Sequence, residues 1–296
     1  MATIADSIHW DFFDRQHVPE SIELVSNVFH MDTRIVADWF QKRMVDNPYQ
    51  HGVRGFGVGA WAGSQLVAEY GVLGQPWWLE GREIIAGFGT NWVVRSEYQG
   101  KGLGNELGRR ALACAPIIGA TWTGVQTQGM MKKAGYLPLA PGNDSFRTRV
   151  SFRQSLIKRL GTLVGGATGS AFDLSLRLRE IRWGRSSGFH FELVDRCDGR
   201  FDDLWESARN DYRSCLVRTS AYLNWRVFDA PTRPLHVASL SDRDGRLRAF
   251  SVWHVQSFDA NIRMAVLRDL FGGANDEAAL RTLLVELIGH WREVGI

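Results

Sequence analysis

Cysteine is nearly absent from this chain. The three present, Cys114, Cys197 and Cys215, are odd in number and form no C-x-x-C pair, which excludes a disulfide framework or a thiolate zinc site and fits a reducing compartment. An excess of one charge sign is also missing: 35 basic and 32 acidic side chains leave a net +3, too balanced for a protein that coats nucleic acid, so any anion site must be local. Lysine is scarce, five residues against thirty arginines, a bias that carries no functional reading. No long apolar run occurs. The uncharged stretch from Leu160 to Phe172 has thirteen residues and four glycines, too short and too broken to span a bilayer. The first fifteen residues carry Asp6, Asp11 and Asp14 without an apolar core and do not read as a signal peptide, so the expected location is cytoplasmic. The histidines share no ligand spacing, and no metal is expected. What is present is an ordinary globular balance, 45% hydrophobic and 23% charged over 296 residues, enough for two domains at about 150 residues each.

The first half alternates strand and helix patterns. Ile8 to Phe13 alternates as a strand, Pro19 to His30 has helical spacing at Ile22, Val25 and Phe29, and Asp32 to Val45 reads as a second helix capped by Asp32 or Thr33. Phe56 to Ala62, Gln65 to Leu73 and Ile84 to Val94 read as strands. A helix is expected at Leu103 to Cys114, a buried strand at Ile117 to Val125, and a short helix at Gln128 to Ala134 closed by Gly135. Trp77 and Trp78 fall in a loop in this reading, either as a platform for a sugar ring or as an apolar lid. Trp39, Trp122, Trp225 and Trp291 fall on core faces.

Between Arg147 and Gly188 nine basic residues face only Asp173 and Glu180, a local net of +7, around a glycine-rich apolar stretch. This reads as a connector, a helix pair or partly helical arm, with three candidate roles: a solvated helix face, an anion-binding arm, or a segment in weak contact with an anionic membrane surface. Beyond it the pattern restarts. Shifting the chain by 183 positions lays Trp39-Phe-Gln-Lys-Arg43-Met-Val-Asp46-Asn-Pro48 over Tyr222-Leu-Asn-Trp-Arg226-Val-Phe-Asp229-Ala-Pro231. The expected organisation is therefore residues 1–150, a connector 151–187, and a second copy 188–296.

The segment that carries chemistry runs from Trp92 to Leu107, where a strand enters the turn Gln99-Gly100-Lys101-Gly102-Leu103-Gly104-Asn105 and the turn enters a helix. Glycines allow close backbone approach and align successive N–H groups, and the helix start adds a positive dipole end, so the turn is an anion nest suited to a pyrophosphate. It is not a P-loop, because Lys101 lies between glycines and no G-K-[ST] follows.

Gln99-x-x-Gly102-x-Gly104, with the strand before it, the helix after it and the Lys132-Lys-Ala-Gly135-Tyr136 ending, resembles the GNAT superfamily of N-acetyltransferases over Ile8 to about Leu139. The Trp39 to Pro48 helix and its repeat resemble tandem members tied to bacterial exopolysaccharide and cell-envelope synthesis, relatives of the FemAB type. The resemblance implies an α/β chain of tandem GNAT-fold (acyl-CoA N-acyltransferase) domains, the second degenerate, joined by a basic helical connector. In that second copy Asp276 and Glu277 replace Gln and Lys, and the copy is expected to be incomplete. It further implies acetyl-CoA as co-substrate, with backbone N–H groups at Trp92, Val93 and Val94 orienting the thioester. Gln99, Gly100, Lys101, Gly102, Leu103, Gly104 and Asn105 then take the pyrophosphate. Asn91 stands where many relatives carry a basic Glu and can only position a water. Glu69 is the nearest carboxylate candidate, against a solvated strand residue, and Tyr136 is a core ring or an acid. Arg226 is expected to partner Asp229 or a helix end. The activity implied is N-acetylation of a primary amine of an amino sugar or sugar nucleotide for a surface polysaccharide, at the inner face of the membrane or free in the cytoplasm. The alternatives are a FemAB-like aminoacyl or peptide-modifying transferase and a non-catalytic sensor of an anionic ligand.

Overall fold

The computed structural model describes residues 8–120, 125–138, 150–183, 188–230, 233–259 and 262–296. In chain order the elements are β1 (Ile8–Phe13), α1 (Val18–Phe29), α2 (Thr33–Phe40), β2 (Gly57–Ala62), β3 (Gln65–Leu79), β4 (Arg82–Val94), α3 (Leu103–Ala111), β5 (Ile118–Gly119), α4 (Val125–Ala134), α5 (Arg153–Leu160) and α6 (Thr162–Trp183). They continue as β6 (Phe189–Val194), α7 (Gly199–Ala208), β7 (Ser214–Leu216), α8 (Ser220–Leu223), β8 (His236–Asp242), β9 (Leu247–Asp259), β10 (Ile262–Gly272) and α9 (Glu277–Glu293). Two compact units result: Met1–Asn143 with Ser214–Leu216, and Asp144–Arg213 with Val217–Ile296. The connector helices α5 and α6 thus group with the second unit.

In the first unit the sheet order is β1-β2-β3-β4-β5, with β7 paired to β3. Among the described residues only β4 and β5 run parallel. One face packs Leu24, Val25, Val36, Phe40 and Met44 from α1, α2 and the π-helical turn Gln41–Val45 against Phe13, Leu66 and Val93. The other packs Leu103, Leu107 and Ala111 of α3 against Val58, Ala60, Tyr70 and Val72. Asp32 caps α2, its side chain accepting from the Arg34 N–H at 2.7 Å. Phe29, expected on the core stripe of α1, is 49% exposed because His30 turns left-handed directly after it and closes the helix.

The Asn-Pro ending of the repeated motif has a structural task. Asn47 Nδ2 donates to the Gly74 carbonyl at 3.0 Å, while Gln50 accepts from the Gly74 N–H at 3.0 Å and donates to the Val72 carbonyl at 2.8 Å, all buried. At Gly74 a Cβ would lie 2.2 Å from the Tyr49 carbonyl oxygen, so only glycine permits this approach.

Two expectations are corrected. Trp77 and Trp78 lie in β3 rather than a loop: the strand pairs with β4 through Leu79 and with β7 at Trp77 to Leu79, which leaves Trp78 buried and ties Trp77 Nε1 to Ser214 Oγ at 2.8 Å. Pro76, lacking an N–H, stands just outside the β7 pairing. The strand expected at Ile117 to Val125 is assigned only at Ile118–Gly119, Val125 already begins α4, and Trp122 lies outside the described residues.

The second unit has the antiparallel order β10-β9-β8-β6. Its helix α9 buries Leu283, Leu287 and Trp291 on Ala238, Leu240 and Trp253. On aromatic contacts, Phe201 and Trp205 of α7 meet Phe250 and Phe271 at ring separations of 5.3 and 5.8 Å. A π-helical turn, Asn224–Asp229, follows α8 as the other follows α2. No described helix is long and apolar enough to cross a membrane.

Leu107 is fully enclosed between α3 and the sheet. Leu107→Ala is expected to lower the unfolding free energy by about 3 kcal/mol in urea denaturation. A loss under about 1 kcal/mol would contradict this seating of α3.

Candidate functional site

Strand β4 is interrupted where the first unit gathers its polar groups. Glu69 pairs with Val93 and Gly71 with Thr90, so Asn91 and Trp92 together face the single residue Tyr70. This is a β-bulge, and Asn91 sits at φ 45°, a left-handed conformation uncommon for a residue other than glycine. The parallel pairing of β4 with β5 is assigned at Gly87 and Phe88, and the chain that follows β5, residues 121–124, lies outside the described residues.

From Val94 the chain passes through a 3-10 turn, Ser96–Tyr98, into the glycine turn. Gly100 and Gly102 hold φ of 74° and 85°, with open space where each Cβ would stand. Gly102 is the N-cap of α3 and has no side chain to offer, so the first N–H groups of the helix face outward without a side-chain cap. The turn is braced from within: Gln99 Nε2 donates to the Val94 carbonyl at 3.0 Å, and Lys101 Nζ to the Glu97 carbonyl at 2.6 Å. Lys101 also lies 4.9 Å from the Tyr98 ring centre.

The ten residues expected at a cofactor divide into three groups. Gln99, Gly100, Lys101, Gly102 and Asn105 are exposed around the helix start, and Gly104 lies half-buried beside them. Leu103 and Val93 are core residues, which leaves only their backbone for a ligand. Trp92 and Val94 are half-buried. The Trp92 indole packs on α3: a Cβ at Gly108 would lie 2.8 Å from its ring, and one at Gly104 would lie 3.8 Å from its Nε1.

The three catalytic candidates do not converge. Glu69 shares a face with its pair partner Val93, on the α1 and α2 side, whereas Tyr70 lies on the α3 side and stacks edge-on with Trp92 at 4.7 Å. Tyr136, after α4, donates to Tyr70 Oη at 3.3 Å, so it stands on the Tyr70 side. Burial holds the Tyr136 phenol far above its ordinary range, and the neighbouring Tyr70 adds to the effect. Asn91 Nδ2 is buried without a hydrogen-bond partner, an unspent donor at the bulge. Glu69 is not the solvated strand residue that alternation allows: it is fully buried, neither oxygen has a hydrogen-bond partner, and desolvation pushes its carboxyl up to about 8. The Ser21 hydroxyl, itself buried without a bonding partner, opposes that shift only in part. Tyr70 was not singled out by the sequence, since its strand pattern is that of any core aromatic.

The expected partnership of Arg226 with Asp229 is not formed; Asp229 is held by Arg196 at 2.8 and 3.2 Å. The helix-capping role of Asp276 is formed, its side chain accepting from the Ala279 N–H at 3.2 Å. Among the described residues no group of His, Cys, Asp and Glu could hold a metal ion.

No family model and no curated protein matches this sequence. Solved structures do. A GCN5-related N-acetyltransferase from Anabaena variabilis superposes with a TM-score of 0.58 at 13% identity, over 96% of this chain and 63% of its own. One from Kribbella flavida gives 0.55 at 14%, over 96% and 62%. A conserved Enterococcus faecalis protein of unknown function gives 0.60 at 12%, over 97% and 63%. The chain thus spans less than two thirds of the length of these proteins. It has the mixed α/β fold of the GNAT acyltransferases.

Glu69 makes stability depend on pH with a definite sign. The folded carboxyl keeps its proton up to about 8, whereas the unfolded one releases it near 4.5, so the folded state binds more protons in between and stability falls as pH rises across that window. Glu69→Gln should remove the fall, so that its stability gain over the parent is larger at pH 9 than at pH 5 in urea titrations. An equal difference at both pH values would contradict the buried, raised carboxyl.

Proposed function

We propose that the first unit is an acetyl-CoA-dependent N-acyltransferase acting on a primary amine. The observation that carries this reading is the uncapped start of α3, reached through two left-handed glycines from the end of β4. A pyrophosphate fits the N–H groups of Gly102, Leu103, Gly104 and Asn105, with Gln99, Gly100 and Lys101 beside it. A thioester arm is assigned to the backbone of Trp92, Val93 and Val94, as the sequence resemblance implies. In the transfer, the neutral amine nitrogen attacks the thioester carbonyl carbon, the carbon–sulfur bond breaks, the nitrogen releases one proton to water, and the leaving thiolate takes one from a phenol that water then reprotonates. Tyr136, whose phenol keeps its proton and lies against Tyr70, is the donor in this reading. Asn91 supplies its buried amide N–H to a water or to the carbonyl oxygen. Glu69 has no exposed surface and is assigned no proton transfer.

The second unit is read as a second copy of the first, supported by the shared order of strand, helix, π-helical turn, three antiparallel strands and helix. Its equivalent of the anion nest is filled: Asp276 caps α9 and pairs with Arg248 at 2.5 Å, and Asp211 accepts from the Ala274 N–H at 2.9 Å. One CoA per chain follows. The acceptor, an amino sugar or sugar nucleotide for a surface polysaccharide, rests on the sequence resemblance, and the cytoplasmic location on the cysteine usage. A weak contact of the connector with anionic membrane is supported by Leu163 and Val164, 87% and 62% exposed beside Lys158 and Arg159.

Gly102→Val forces a branched side chain into a left-handed turn and should weaken CoA binding at least about tenfold in calorimetric titration while the chain stays folded. The parent should bind one CoA and release free thiol from acetyl-CoA when amines are supplied. Unchanged affinity in a folded variant, or two CoA per chain, would overturn the assignment. Co-sedimentation with anionic vesicles should be lost between low and physiological salt; absence of binding at both retires the membrane contact.

A further inference from the structure

The second unit concentrates positive charge at a place that the proposed transfer does not use. Four side chains meet there: Arg226 from the π-helical turn, Arg233 before β8, His254 in β9 and Arg268 in β10. Arg268 Nε lies 3.2 Å from His254 Nδ1, and Arg233 Nη1 lies 3.4 Å from His254 Nε2. His254 is 2% exposed, whereas Arg233 and Arg268 reach the surface.

Two backbone irregularities aim these groups. Leu267 pairs with Trp253 and Asp269 with Val252, so Arg268 is the extra residue of a β-bulge, and Arg226 lies in a π-helical turn.

The hydrogen-bond chemistry of the cluster is incomplete. A guanidinium offers only donors, and a neutral imidazole offers one acceptor nitrogen and one N–H, so His254 can satisfy one arginine and must present a donor to the other. Protonation would make matters worse. Arg233 and Arg268, together with burial and His236, hold the His254 imidazole below its ordinary range. Burial, then Arg268 and Arg233, lowers Arg226 to about 10. Among the described residues neither Arg226 nor Arg233 has a carboxylate ion-pair partner. Arg226 and Arg233 therefore lack both an acceptor and negative charge among the described residues, and one bound oxyanion would supply both.

Beside it an open cavity of about 450 Å³ is lined by Arg233, Pro234, His236, His254 and Arg263. That is room for more than a bare ion. At its edge His236 stacks on Trp253, ring centres 4.4 Å apart.

We propose that this cluster is a binding site for the phosphate group of a small molecule, held by Arg226, Arg233 and Arg268 around His254, with the rest of the ligand in the adjoining cavity. The site is separate in sequence from the Gln99 to Asn105 turn and does not depend on that turn binding CoA.

Calorimetric titration of the full chain with inorganic phosphate, at ionic strength held constant with chloride, tests it. Saturable binding is expected, weakened at least about tenfold in Arg233→Gln and in Arg233→Gln/Arg268→Gln, partly kept in Arg233→Lys, and unchanged in Gly102→Val. Because the arginines repel one another, Arg233→Gln should also melt higher than the parent in phosphate-free buffer, an advantage that phosphate reverses. Equal affinity in the folded glutamine variants, loss of phosphate binding in Gly102→Val alone, or no binding by the parent at millimolar phosphate would overturn the proposal. So would binding to phosphatidic acid vesicles without any response to free phosphate, which would place the chemistry on a lipid surface instead.

Discussion

The arrangement of the first unit depends on one contact, the Trp92 indole laid against the glycine face of α3. Gly104 and Gly108 are one turn apart, and a methyl group at Gly108 would stand 2.8 Å from the ring. Their lack of side chains lets the helix approach β4 closely enough for Leu103 and Leu107 to reach the core formed by Val58, Tyr70 and Val72. That seating sets where the helix begins. Gly100 and Gly102 then only have to carry the chain from the strand end to that point, which they do with two left-handed residues and no cap. The anion nest is a by-product of how closely one helix lies on one strand.

The β4 bulge is the second element of the same construction. Placing Asn91 and Trp92 opposite Tyr70 turns the indole toward α3 and strains Asn91. The second unit uses a bulge at the corresponding strand, β10, but to different effect: there the extra residue is Arg268, and it joins a cationic cluster instead of packing under a helix. One irregularity of the fold thus seats an indole against a helix in one unit and gathers positive charge in the other.

The two helix starts make the same comparison in charge. An uncapped helix N-terminus is worth most to an external anion when no internal one competes. Around α3 the nearby cation Lys101 is turned back on a carbonyl and the cap residue is glycine. Around α9 two carboxylates, Asp276 and Asp211, already satisfy the backbone donors. Where the described residues of unit two leave positive charge without a carboxylate, it lies elsewhere, at Arg226 and Arg233.

Much of this was legible in the residues. Turn glycines, the capping Asp32 and the period of the apolar positions located most elements of the first unit, because these signals act over a few neighbours, and the repeat matched the two segments that hold the π-helical turns without showing that they are π-helical. The loop Gln99 to Asn105 was legible for the same reason: close approach requires glycine wherever it occurs. What the sequence could not carry was any property set by partners distant in the chain. Trp77 and Trp78 became strand residues because β4 and β7 pair with them, Asp229 went to Arg196 instead of Arg226, and Glu69 lost its water because helices cover both faces of the sheet. The sequence by itself determined which stretches fold and where a backbone can approach an anion. Tertiary structure alone decided which charges are buried, which face each other and which remain unbalanced, since desolvation and Coulomb interaction depend on distance through space and not along the chain.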